Sequence, residues 1–143
     1  MAALLAMLPA MLWAMPVQAE TRNYVLEMYD NFGQLVAIHQ LRLDFGPEDG
    51  RSTRTISGVR TADQVDPAYQ PLLGGSEKGG GAARGPRLRL TLSRSVVSPL
   101  LEIEAVLVPD RNGAFEGRWK RFGCFSGASG TLTAWPIGST ARQ

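Results

Sequence analysis

The chain holds one histidine, His39, and one cysteine, Cys124, the pair of residue types that makes a thiolate nucleophile when imidazole and thiol meet. His39 lies on the apolar side of an alternating stretch, which suits a buried pairing. Cys124, between Gly123 and Phe125, has the setting of a small hydrophobe. Sequence distance does not join the two, so a structural histidine and a structural or intermolecular cysteine stand beside the reading as a cysteine-dependent enzyme. Ser126 and Ser129 sit in a stretch rich in small residues, but neither has glycine at both two before and two after, as a nucleophile elbow requires. Lys78 lies in a glycine run without the following Ser or Thr that a phosphate-binding loop needs.

With one histidine and one cysteine, a metal site inside the chain would have to draw on carboxylates. Asp44, Glu48 and Asp49 gather around a turn without EF-hand spacing, and Glu102 and Glu104, two apart, share one strand face as surface charges. Neither catalytic residues, nor a metal, nor a cofactor follow from these patterns.

The aromatic residues near the C-terminal end are more suggestive. Phe115, Gly117 and Trp119 alternate onto one face, Phe122 and Trp135 follow nearby, and Gly117 removes a side chain where a ligand or another backbone would approach. Phe115, Gly117, Trp119, Phe122 and Trp135, with His39, are therefore the expected ligand-binding residues. The alternative is a structural plug, with Trp119 filling one end of the fold and Trp135 packed over it. Gly117-Arg118-Trp119 is similar to the Gly-x-Trp of lipocalin-type barrels. There the motif belongs to the first strand and here it falls near the end, so no family assignment follows.

The elements that must carry these residues are strands. Apolar residues alternate over 23–29, and Asp30-Asn31-Phe32-Gly33 reads as a tight turn. A long strand over 35–45 has Leu35, Ala37, His39, Leu41, Leu43 and Phe45 on one face. A Thr- and Ser-rich strand over 51–61, with Ile56 and Val59 as its large apolar residues, is expected to be poorly buried. Asp66-Pro67 signals a short helix over 67–73, and the glycine-rich part of 62–86 is expected to be a flexible loop. Alternation resumes at Leu88, Leu90 and Leu92 and again at Leu101, Ile103 and Ala105. Strands over 115–122 and 131–137 follow, with 123–130 as their link. Arg87 and Arg89 would face Glu102 and Glu104 if their strands are neighbours.

This pattern predicts an all-β fold, a small antiparallel meander of about seven or eight strands closed as a barrel or folded as a sandwich. An outer-membrane barrel is the competing architecture, disfavoured because several strands are shorter than the nine to eleven or so residues a spanning strand needs.

Residues 1–19 carry no charge and end in Val17-Gln18-Ala19, which predicts a signal peptide cleaved before Glu20 and one domain over 20–143 in the periplasm or outside the cell. The usual basic residue ahead of the apolar run is missing. All but two of the fifteen basic residues are arginine, and the net charge of +2 is scattered, which argues against nucleic acid as a partner. Membrane contact is expected only in passing, through the signal peptide. The expected function is that of an exported binding protein holding a small apolar ligand rather than an enzyme. The alternative is a protein-interaction module, for instance an inhibitor of a secreted enzyme, with an envelope protein as its partner.

Overall fold

The computed structural model describes residues 18–96, 98–122 and 127–138. Eight antiparallel strands run in chain order around a closed barrel: β1 (Glu20–Tyr29), β2 (Leu35–Phe45), β3 (Thr53–Val65), β4 (Ser76–Arg84), β5 (Arg87–Ser93), β6 (Leu101–Leu107), β7 (Phe115–Phe122) and β8 (Gly127–Pro136). Closure comes from β1 against β8, from Tyr24 opposite Pro136 to Tyr29 opposite Thr131. The expected all-β meander is present, and it is the barrel of the two alternatives.

Each strand sends alternate residues inward, as a two-residue period requires. Tyr24, Leu26 and Met28 of β1, Leu88, Leu90 and Leu92 of β5, and Leu101 and Ile103 of β6 are at most 3% exposed. Arg42, Arg89, Glu102, Glu104 and Arg118 lie on the exposed outer faces. Apolar inside and charged outside is the reverse of a barrel whose outer wall meets lipid. An eight-stranded barrel is just wide enough for its own side chains to fill, and this interior is one contiguous core.

Segment 62–86 departs from the expected flexible loop. Residues 62–65 extend β3, and most of the glycine run is strand β4, paired on both sides with β3 and β5. The reason is close approach of neighbouring backbone. A Cβ at Gly79 would lie 1.9 Å from the Thr91 carbonyl oxygen, and one at Gly81 would lie 1.9 Å from that of Arg89. Glycine here lets the sheet curl tightly into closure, a use of the residue that composition does not separate from flexibility.

The short helix expected at Asp66-Pro67 is present as a 3-10 turn (Pro67–Tyr69) running into α1 (Gln70–Leu73), and the Asp66 side chain accepts from the Ala68 N–H at 2.9 Å. This segment lies across the mouth where β3 ends and β4 begins, and it is called the lid below. Where β2 meets β3, the pairing shifts between Ile38 and His39, a bulge beside the lidded mouth. The expected cross-strand charge pairing holds at one position: Arg89 pairs with Glu104 at 2.9 Å, whereas Arg87 stands opposite Val106 and Glu102 opposite Thr91.

Candidate functional site

Beneath the lid the apolar interior gives way to charge. The inward positions of β3 are Ile56, Gly58 and Arg60, and those of β7 are Phe115, Gly117, Trp119 and Arg121, so the same alternation that builds the core also delivers two guanidiniums into it. Glu77 enters from β4 and His39 from β2. All four are at most 3% exposed.

Glu77 is clamped between the arginines: its Oε1 accepts from Arg60 Nη2, and both its oxygens accept from Arg121 Nη2. Arg60 Nη1 also donates to His39 Nδ1 at 2.9 Å and to the Leu73 carbonyl of the lid at 2.8 Å. Arg60 Nη1 also lies 3.4 Å from Nε2, and an arginine only donates, so His39 meets it as an acceptor, through the nearer Nδ1. Burial, followed by the guanidiniums of Arg60 and Arg121, pushes the imidazole down to about 3, so His39 is neutral at physiological pH. Arg60 is lowered by burial, partly offset by Glu77.

The lid is tied to this cluster and to the core. Leu73 is fully buried, Arg94 donates to the Gly74 carbonyl, and the ring of Tyr69 meets Trp119 edge-on at 6.5 Å between centroids. Tyr69 also lines a cleft of about 510 Å³ at the same mouth, together with Asp30, Asn31, Phe32, Lys120 and the start of β8. That volume falls within the span of roughly 300–1,000 Å³ usual for small-molecule sites. Tyr69 thus belongs both to the wall of the open cleft and to the lid whose Leu73 carbonyl caps the charged cluster.

The expected ligand-binding residues do not come together in one site. Trp119 is 1% exposed and donates from Nε1 to the Tyr29 carbonyl at 2.9 Å, which makes it part of the core. Gly130 stands opposite it, where a Cβ would come within 1.7 Å of the Tyr29 carbonyl oxygen and 2.8 Å of that indole nitrogen. Phe115 packs edge-on to Tyr24, 5.9 Å between centroids, and Gly117 serves the close approach of β6, since its Cβ would lie 1.9 Å from the Glu104 carbonyl oxygen.

Trp135 departs from the expected grouping. It is on the outer wall, 37% exposed, donating to Glu27 at 2.8 Å with Arg111 over its ring, and does not pack over Trp119. His39 is inside, bound to Arg60 rather than lining a wall. Phe122 ends β7, but its side chain, like Cys124, Phe125 and Ser126, lies outside the described residues, so the histidine–cysteine pairing does too. Ser129 Oγ accepts from Asn31 Nδ2 at 3.2 Å on the surface and borders the cleft.

Sequence reasoning missed Arg60, Glu77 and Arg121. The signal for Arg121 was present, since it is the next inward step after Phe115, Gly117 and Trp119. Arg60 follows Ile56 by the same rule. Glu77 had none, because the glycines around it carry no face. Among the described residues no three His, Cys, Asp or Glu side chains gather as metal ligands. The chain matches no family model, no curated protein and no solved structure in the comparisons made.

Proposed function

We propose that this is an exported binding protein that takes a small amphipathic molecule at the lidded mouth of its barrel. The observation that carries the reading is the aromatic and polar cleft of about 510 Å³ whose inner wall, Tyr69, belongs to the lid over the buried charges. The barrel interior is filled by its own side chains, so the ligand's place is the mouth rather than the centre. A groove of about 620 Å³ over the outer face of β1 to β3 is a weaker candidate. It is lined by exposed strand residues such as Gln40, Arg42 and Thr61, and no residue of the lid borders it.

A protein partner is the second reading, favoured by apolar loop tips at this same mouth: Phe32 is 92% exposed, Val96 fully so and Leu100 51%. Native mass spectrometry of the chain, purified gently from the envelope of the cells that make it, separates the two. The expected result is an adduct of small-molecule mass lost on denaturation. A bare chain contradicts the reading, and a bound envelope protein replaces it with the second.

A further inference from the structure

We propose that Arg60 and Arg121 form the recognition site for an anionic head group, a carboxylate or comparable oxyanion, on the molecule that the lidded mouth admits. This rests on the preceding reading of that mouth and adds the chemical class of its ligand.

The first ground is charge. The buried cluster contains two guanidiniums and one carboxylate, with a histidine held neutral beside them, leaving one positive charge in excess. A fold that needed only to neutralise Glu77 would need one arginine. An uncompensated charge inside a core opposes folding strongly, so the second arginine is what a stability requirement alone would remove. Arg94, donating to the lid carbonyl of Gly74, adds positive charge at the same mouth.

The second ground is unmet hydrogen bonding. The Nε atoms of Arg60 and of Arg121 are both buried and, among the described residues, both without an acceptor. Guanidinium donors are arranged to grip a planar pair of oxygens, and two of them left open on facing arginines describe the partner they lack. Glu77 does not supply it, because its oxygens accept from the Nη2 atoms and neither reaches a Nε.

The third ground is access. The Leu73 carbonyl accepts from Arg60 Nη1, so one acceptor now filling the cluster belongs to the lid itself. Moving the lid releases that donor, lifts Tyr69 from Trp119 and joins the cleft to the cluster. An incoming oxyanion takes the place of the carbonyl, and an attached apolar chain lies outward along Tyr69 and Phe32. A free inorganic or short-chain anion shares the head-group chemistry without the chain.

The test is displacement of the neutral fluorophore N-phenyl-1-naphthylamine from the protein. The competitors are dodecanoate, 1-dodecanol and dodecyltrimethylammonium below their micellar concentrations, with acetate and phosphate as chainless anions. Dodecanoate is expected to compete at a concentration at least about tenfold lower than dodecanol, as a charge-assisted bond implies, with the ammonium compound weakest. In Arg121→Met this preference should fall to near parity while dodecanol is unchanged. The variant should fold, since the Arg60–Glu77 pair stays balanced, but the preference of the parent protein decides the matter without it. Equal competition by dodecanoate and dodecanol overturns the anion site and leaves the mouth reading standing. Failure of the fluorophore and all three chains to bind overturns both. Binding of acetate or phosphate as strong as that of dodecanoate keeps the anion site and removes the chain.

Discussion

At the mouth where β1 begins, Arg22 and Arg54 lie over the ring of Phe45 at 5.3 and 5.0 Å, and Arg54 pairs with Glu20 at 2.9 Å. At the opposite mouth Arg60 and Arg121 are drawn inside and clamp Glu77. Both ends use two arginines and one glutamate. At the first, the ring of Phe45 seals the core and the cations rest on it with their carboxylate partner in contact with water. That arrangement closes a barrel while withdrawing its charges only partly from water. At the second, all three charges are buried under a lid of seven residues, 67–73. Function is to be sought at the second, where a mouth that stability alone would seal with apolar side chains instead carries a buried excess of charge.

Removing the carboxylate at each end should give the largest contrast. Glu77→Leu leaves two guanidiniums buried without a counter-charge and should cost about 3–5 kcal/mol, read from urea unfolding. Glu20→Gln at the open end, where the pair is partly exposed, should cost less than about 1 kcal/mol. Similar losses at the two ends would break the comparison. Arg121→Met tests the same point with opposite sign, because it removes the surplus charge and should leave stability unchanged or raised.

The next effect is in pH. The folded His39 is depressed from 6.5 to about 3, so the unfolded chain binds its proton first, and the stability this gives is complete above about pH 6.5 and lost as pH falls toward 3. At pH 5 the loss should be about 2 kcal/mol relative to pH 7, and it should be absent in His39→Gln, which keeps an acceptor for Arg60 but does not titrate. Glu20, held below its ordinary value first by Arg22 and then by Arg54, responds only at lower pH. An unchanged pH 5 to pH 7 difference in His39→Gln would place the acid sensitivity elsewhere.

A smaller effect belongs to the lid. Asp66→Ala removes the acceptor for the Ala68 N–H and should cost about 1 kcal/mol, appearing as faster amide exchange over 67–74 with the strands unaffected. The smallest is on the outer wall, where Arg89→Ala breaks a pair whose side chains are 78% and 64% exposed, and the unfolding midpoint should hardly move.

The barrel was legible in the sequence wherever one face of a strand is apolar and the other polar. Strand β2 occupies the residues its alternation marks, from Leu35 to Phe45, because period two and a buried face leave no other register. Strand β4 was not legible, because Gly79, Gly80 and Gly81 erase the alternation while serving a backbone approach visible only in three dimensions. The candidate site was half legible. Parity points Arg121 inward after Trp119, but the usual preference of arginine for water argues the other way, and only the closed barrel decides between them. Trp135 shows the reverse: aromatic character suggested the interior, while parity after Leu132 and Ala134 sends it outside.

Whether binding belongs to the lidded mouth is decided by amide hydrogen exchange on the protein with and without dodecanoate. Slowed exchange over 67–74 and 30–34, with residues 46–52 and 108–114 of the opposite mouth unchanged, is the expected result. Protection at that opposite mouth, or at neither, would contradict it.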